Sequence, residues 1–293
     1  MYQTNYKIAG ISISVTAPTE LQDDHAFSIY RTDEREEGQH YDIHLRADTS
    51  VSLNETYVSA AEKECVFRNE LNLVAAQKPP LHLFKMPGAE RYSAWDYLED
   101  KPVTVLHYAP EAENYFARST GVFNAAGFER ILYRFGKFLY HCSYVDYRGK
   151  AVLFSAPSGG GKTTQGKLWE RYADAEMING DRAVLEHKDG GIICHGLPIA
   201  GSSGVFTDRS LPLAAVFTLQ KADNNSVVRL KGKEAVYAIF SQLTVNMWNS
   251  EFVQDALDFS IYAASRVPIY RLSCNISQEA VELAEKEIAE GRI

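Results

Sequence analysis

Holding a phosphate takes converging backbone N–H groups, a helix N-terminus behind them and a cation within reach. The stretch Ala156-Pro157-Ser158-Gly159-Gly160-Gly161-Lys162-Thr163-Thr164 offers these in order. Glycine has no Cβ to hold a loop away from oxygen, so Ser158, Gly159, Gly160 and Gly161 present open backbone. In this pattern Lys162 reaches the β- and γ-phosphates of a nucleotide, Thr163 puts its hydroxyl on Mg²⁺, and Thr164 follows at the start of the helix. The spacing G-x-x-x-x-G-K-[ST] is met except at its first position, where Ala156 stands. The competing reading is a glycine-rich hairpin that happens to precede Lys-Thr. The apolar "AVLF" before the loop and a helix expected from Lys162 to Tyr172 after it favour the phosphate.

Binding alone is not chemistry. Asp181, in "EMINGDRAVL", is a candidate to hold Mg²⁺ or to take a proton from an attacking hydroxyl. Only Met177 and Ile178 precede it as an apolar run, so a turn aspartate is the plain alternative. Arg209, in "FTDRSLP", is a candidate to meet a transferring phosphoryl group, against an ordinary solvated loop arginine. Ser202, Ser203 and Gly204 read either as a second anion-binding turn or as a plain loop. Trp169 and Trp248 read as core.

The elements that must position these residues follow from hydrophobic periodicity. "GISISVTA", "YDIHLRA" and "PVTVLHY" alternate as strands in the first third of the chain. The charged "RTDEREEGQH" between the first two reads as a solvated loop. "AAGFERILYRFGKFLY" spaces Phe128, Ile131, Leu132, Phe135 and Leu139 as one helix with Gly136 inside it. "CSYVDYRGKAVLFSA" reads as two strands joined at "YRGK", and "LAAVFTLQ" as a fully buried central strand. Residues 233–265 look helical and "VPIYRLSC" returns as a strand. A last helix puts Val281, Ala284 and Ile288 on one face, between a Ser277 cap and Gly291. The change of texture predicts a β-rich domain over 1–125 and an α/β domain carrying the glycine loop over 126–293.

The 293 residues are 45% hydrophobic and 23% charged, as in a folded globular chain. A net charge of −8 speaks against nucleic acid and anionic membranes as partners, since both need a basic face. No signal peptide or membrane span is read from the sequence, which predicts a cytoplasmic protein. Cys65, Cys142, Cys194 and Cys274 are too scattered for a zinc site or a disulfide framework and read as buried reduced thiols. The sequence leaves homo-oligomerisation open.

"HCSYVDYRGKAVLFSAPSGGGKTT" resembles the segment around the phosphate loop of HPr kinase/phosphorylase, with His141, Asp146, Gly149, Gly161, Lys162 and Thr163 in its pattern. In that family a histidine begins a strand. "NGDR" matches a segment that there usually carries two adjacent aspartates; Asp181 keeps the second and Gly180 replaces the first. "HGLPIAGSSG" with "RSLPLAAVFTLQ" looks like proteins filed with phosphoenolpyruvate carboxykinases, which share the phosphate-loop fold. The resemblance spans about residues 130–275 and is specific at 141–182. It implies an α/β fold, an HPr-kinase/carboxykinase-like P-loop domain with a mixed sheet, preceded by a smaller β-rich domain. It implies ATP and Mg²⁺ as cofactors, with His141 near the γ-phosphate and Asp181 as metal ligand or general base. A structural histidine at a strand edge is the alternative for His141. HPr-kinase-like proteins include tailoring kinases of ribosomally made peptides, which points to a serine or threonine hydroxyl of a peptide or small protein as acceptor. The glycine- and arginine-rich signature of true HPr kinases is missing, which speaks against HPr itself. The additional ligands of a carboxykinase are missing too, which speaks against decarboxylation. A kinase of free serine or a sugar, and a nucleotide-binding regulator without turnover, stand as alternatives.

Overall fold

The computed structural model describes residues 1–35, 37–48 and 56–290. It divides into two compact units, Met1–Phe135 and Gly136–Ile293, each built, among the described residues, on a mixed nine-stranded sheet.

In the first unit the strands are β1 (Tyr2–Ile8), β2 (Ile11–Ala17), β3 (Arg31–Thr32), β4 (His40–Ala47), β5 (Cys65–Arg68), β6 (Asn72–Ala75), β7 (Leu81–Phe84), β8 (Ala94–Tyr97) and β9 (Val103–Tyr108). They lie in the order β3-β1-β2-β4-β9-β8-β7-β6-β5. β2, β4 and β9 run parallel at the centre and antiparallel pairs flank them. The alternation of "GISISVTA" predicts one buried face, yet Ser12 and Ser14 are buried as well, because a central strand is covered on both sides. Ser14 keeps its hydroxyl satisfied by donating to Asn5 Oδ1 at 2.7 Å.

The helices of this unit are α1 (His25–Ser28), α2 (Thr56–Lys63), α3 (Glu113–Phe116), α4 (Ser119–Ala126) and α5 (Phe128–Tyr133). α4 and α5 move the boundary from the expected 125 to Phe135/Gly136. The reason is packing: Phe123 of α4 stacks on Phe27 at 4.8 Å and meets Tyr6 at 5.5 Å. Arg130 of α5 reaches the buried Asp96 at 3.2 Å, which also takes Nδ1 of His82 at 2.6 Å. Burial alone would raise Asp96, but Arg130 and His82 outweigh it and hold the carboxyl below the usual carboxylate range.

In the second unit the strands are β10 (Lys137–His141), β11 (Ser143–Tyr147), β12 (Lys150–Ser155), β13 (Glu176–Asn179), β14 (Arg182–Lys188), β15 (Gly191–His195), β16 (Ser210–Lys221), β17 (Ser226–Arg229) and β18 (Ile269–Cys274). Their main path is β10-β14-β15-β16-β12-β11-β13. β16 is shared: its first residues pair with β15, its later ones with β18, and β12 lies along its other edge. β17 pairs antiparallel with β18. α6 (Lys162–Tyr172), α7 (Gly232–Phe240), α8 (Ser250–Arg266) and α9 (Gln278–Glu290) complete the unit. Trp169 of α6 and Val281 and Ala284 of α9 pack with Phe154, Phe217 and Tyr270 of the sheet into one core.

The single helix expected across 125–140 does not form. Gly127 and Gly136 both adopt positive φ, +73° and +67°, which ends one helix, then a second, and releases 137–141 as β10. His141 therefore closes a strand rather than beginning one. The "YRGK" hairpin forms as expected, with Arg148 and Gly149 at φ +55° and +77°, the positive pair that a tight two-residue turn requires. Trp169 is fully buried, whereas Trp248 is only partly so. Of the cysteines, Cys142 and Cys194 are buried, Cys274 is half-buried and Cys65 is exposed, so the expectation of four buried thiols is corrected. Gly291 lies outside the described residues.

Candidate functional site

Strands β12, β16 and β18 run parallel, so their carboxyl ends and the loops that follow them share one edge of the sheet. In open α/β sheets this edge is where ligands bind. The glycine loop leaves β12 there and ends at α6, whose N-cap is Gly161. Gly159 and Gly161 have φ of +72° and +95°, backbone that side-chain-bearing residues rarely adopt. Gly160 is held by space instead: a Cβ there would lie 2.4 Å from Ala156 Cβ and 2.9 Å from the Pro157 carbonyl. The Gly160 N–H closes the turn by donating to that carbonyl at 2.9 Å. Ala156, in the position the pattern reserves for glycine, is thus buried against Gly160.

Lys162 begins α6 with only 8% of its surface exposed. Its Nζ donates to the carbonyls of Ala156 and Pro157 at 3.0 and 3.4 Å. Burial lowers its pKa, partly offset by the attraction of Asp181. A buried ammonium held by carbonyls alone is under-neutralised and favours an incoming anion. Ser158 is exposed at the tip of the loop, and Thr164 is exposed on the first turn of α6.

The facing wall is the tight turn from β13 into β14. Asn179 is fully buried and anchors it. Its Oδ1 accepts from the N–H groups of Asp181 and Arg182 at 2.9 and 3.0 Å. Its Nδ2 donates to the carbonyls of Leu197 and Ile199 at 3.2 and 2.9 Å. Thr163 donates its hydroxyl to the Gly180 carbonyl at 3.1 Å, which joins the start of α6 to this turn. A Cβ on Gly180 would fall 2.2 Å from Ser203 Oγ and 2.5 Å from Ser203 Cβ. Ser203 occupies the space that an aspartate at 180 would need.

The carboxylate of Asp181 takes Arg182 Nε at 3.2 Å and lies 3.7 Å from His141 Nε2. Arg182 also donates through Nη1 to Thr244 at 2.9 Å. Burial is the largest effect on His141 and lowers its pKa; Lys162 and Arg182 lower it further against the pull of Asp181. The imidazole is therefore held neutral, the form that can accept a proton. Lys162, Thr163, Asp181 and His141 come together around one turn, and Arg182 joins them.

Arg209 does not. Its Nη1 donates to Asp146 at 2.9 Å and to Glu176 at 2.6 Å. Asp146 pairs with Ala151, at the start of β12, whereas the glycine loop leaves from Ser155. Four residues of strand, about 13 Å, separate the two ends. The expected phosphoryl contact is thus replaced by a double ion pair at the far end of the hairpin. The turn at Gly201–Ser203 carries Ser203 Oγ donating to the Ala200 carbonyl at 2.7 Å and packs against Gly180 and Asp181. It lies directly against the Asp181 carboxylate.

Beside the glycine loop lies a cleft of about 610 Å³ between α6 and the ends of β16 and β18. Gly160, Thr164, Gln165, Leu168, Leu219 and Cys274 are among its walls. The volume is that of a small-molecule site. Sequence reasoning missed Gln165, Asn179, Arg182 and Cys274. "NGDR" itself held two of them, as a buried turn-former and a cation flanking the aspartate. Gln165 and Leu168 follow Lys162 at helical spacing. Among the described residues no cluster of three or more His, Cys, Asp or Glu side chains is arranged to hold a metal. Mg²⁺ does not require one, because it binds through one or two protein oxygens together with phosphates and waters. The Thr163 hydroxyl and the Asp181 carboxylate are oxygens of that kind. Among the described residues no helix is long and apolar enough to cross a membrane.

Among curated proteins none matches the chain. Among solved structures it is similar to the HPr(Ser) kinase/phosphatase from Coxiella burnetii, at 10% identity and a TM-score of 0.32, over 53% of this chain and 99% of that one. A likeness that low carries no argument about fold or chemistry. A family model matches residues 128–289, more than half of the chain, and spans the glycine loop, the Asp181 turn and the cleft. The chain belongs to the family described as SynChlorMet cassette protein ScmC.

Proposed function

We propose that this protein is an ATP-dependent kinase that transfers the γ-phosphoryl group to a serine or threonine hydroxyl of a peptide or small protein. The observation that carries the reading is Lys162: a buried ammonium on two loop carbonyls, beneath a glycine turn that excludes a Cβ. Bound on 156–164, Mg-ATP would supply the phosphoryl group, with the metal neutralising charge on its oxygens. Ser158, Gly159 and Gly161 would offer N–H groups to the phosphates, Lys162 its cation, and Thr163 and Asp181 the oxygens for Mg²⁺. His141, held neutral, or Asp181 takes the acceptor's proton as its oxygen attacks phosphorus. The bond from phosphorus to the leaving diphosphate then breaks. Arg182 orients the Asp181 carboxylate and takes the place proposed from sequence for Arg209.

The first unit supplies an extended sheet whose edge strands β3 and β5 are candidates to receive a substrate chain by strand addition. A regulatory protein without turnover is the second reading, and the filling of the Gly180 position by Ser203 favours it. The test is incubation with labelled ATP and Mg²⁺, offering peptides encoded beside the gene, free serine and a sugar in parallel. Label on a peptide serine or threonine is expected, and Asp181→Asn should abolish turnover while sparing nucleotide binding. Label only on a metabolite overturns the acceptor class. Nucleotide binding with no turnover on any acceptor favours the regulator.

A further inference from the structure

We infer that Ser210 is an activated nucleophile, with His195 as its base and Glu186 orienting that base, and that its substrate class is an activated ester or thioester. The inference goes beyond the kinase reading and does not rest on it. Ser210 opens β16, and about 26 Å of strand separates it from Thr218, which pairs with Ser155 where the glycine loop begins. The Gly196 N–H donates to the Arg209 carbonyl at 2.9 Å, so the next pair, His195 and Ser210, is of the kind without hydrogen bonds, whose side chains lie closest. The Ser210 hydroxyl lies 2.8 Å from His195 Nδ1, and His195 Nε2 lies 2.9 Å from Glu186 Oε2. The other carboxylate oxygen takes the ammonium of Lys137, from β10, at 2.5 Å. Lys137 and His195 are buried and Glu186 is half-buried, whereas Ser210, at the end of the chain of bonds, is exposed.

Charge fixes where the protons sit. Burial alone would raise Glu186, but Lys137 and His195 outweigh it and keep the carboxyl ionised. It can only accept, so His195 Nε2 carries a hydrogen. Burial, then Lys137 and Lys188, lower the pKa of His195 against the pull of Glu186, which leaves the imidazole neutral at pH 7. A neutral ring with its hydrogen on Nε2 turns the Nδ1 lone pair to Ser210, whose hydroxyl must donate. A serine, a base and an orienting carboxylate, each within hydrogen-bond reach of the next, are what activates a serine. Pairing Lys137 needs Glu186 alone; the bonds run on from there to a hydroxyl at the surface. As the Ser210 oxygen attacks the acyl carbon, its proton passes to His195 Nδ1. The bond from that carbon to the leaving thiolate or alkoxide breaks, and the leaving group takes the proton from His195. The products are an ester of Ser210 and a free thiol or alcohol.

The experiment treats the full chain, in separate samples, with a fluorophosphonate probe and with p-nitrophenyl acetate, and maps the modified residue by peptide mass spectrometry. The Ser210 oxygen should displace fluoride from phosphorus, and the label should fall on Ser210 rather than on other exposed serines such as Ser202 and Ser250. p-Nitrophenyl acetate should give a burst of p-nitrophenolate stoichiometric with the chain and leave an acetyl group on Ser210. His195→Gln should slow both reactions at least about hundredfold. Glu186→Gln should slow them too and move their acid limb to lower pH, because the imidazole loses its neighbouring negative charge. No label on Ser210, or a labelling rate unchanged in His195→Gln, overturns the inference and leaves the network as the partner of the buried Lys137. Fluorophosphonate label on Ser210 without acetylation overturns the ester class. Mapping of the wild type decides the point even if the substituted chains do not fold.

Discussion

Lys162→Met separates binding from stability, because the two should move in opposite directions. The thioether keeps most of the aliphatic stem and removes the ammonium. That ammonium is buried, and its partners are the neutral carbonyls of Ala156 and Pro157. A charge-assisted phosphate contact is worth about 1.5–3 kcal/mol. Losing it should weaken ADP binding roughly ten- to 150-fold. Without ligand the ammonium is a burden: its folded pKa lies below the unfolded one, chiefly through burial. Such a lysine costs the fold most below its folded pKa, and the cost vanishes as pH rises past about 10.4, where both states are neutral. The variant should therefore melt no lower than wild type at pH 7, with any gain shrinking at alkaline pH. Calorimetric titration with ADP and thermal melts at two pH values measure both effects. Unchanged ADP affinity would refute the phosphate role. A melting point lower by more than about 4 °C, on the order of 1 kcal/mol for a unit of this size, would make Lys162 a prop for the loop instead.

Gly160→Ala drives a Cβ against Ala156 and the Pro157 carbonyl, so nucleotide binding should fall at least about tenfold with little change in circular dichroism. Adding Ala156→Gly removes one of the two obstructions and should recover part of the affinity; no recovery would mean that the contact is not what shapes the loop. For His141, the lowered pKa predicts turnover that persists as pH falls through about 6.5 and declines only below it, as the imidazole takes a proton. A pH–rate profile of the wild type against His141→Gln checks this. An acid limb that survives the substitution would assign it to another group.

The glycine loop was legible because local chemistry dictates it: open backbone, a strand before it and a helix after it all lie within one short stretch. The "YRGK" hairpin and α6 were legible for the same reason. What escaped was set at long range. No local feature announces that Arg209 answers Asp146 and Glu176 rather than a phosphate, since those partners lie far away in sequence and meet it only through the β11–β12–β13 pairing. β10 looked helical because Leu139 continues the spacing of the preceding helix. Its strand state comes from pairing with β14 and from the turn at Gly136. Ser203 could be read as a loop serine but not as the occupant of the space beside Gly180. Gln165 looked like any polar helix residue until β18 was folded against it.

The shared strand β16 also imposes an order on assembly. Its partners come from both directions along the chain: β12 precedes it, and β18 follows only after both helices α7 and α8. Pairings of that sequence separation pay their loop-closure entropy late and form slowly. During synthesis the glycine loop and α6 therefore leave the ribosome well before the wall that Cys274 and Ile276 complete. A nascent chain halted ahead of β18 possesses the glycine loop with one side of its cleft missing, and the cleft is finished only once β18 has emerged.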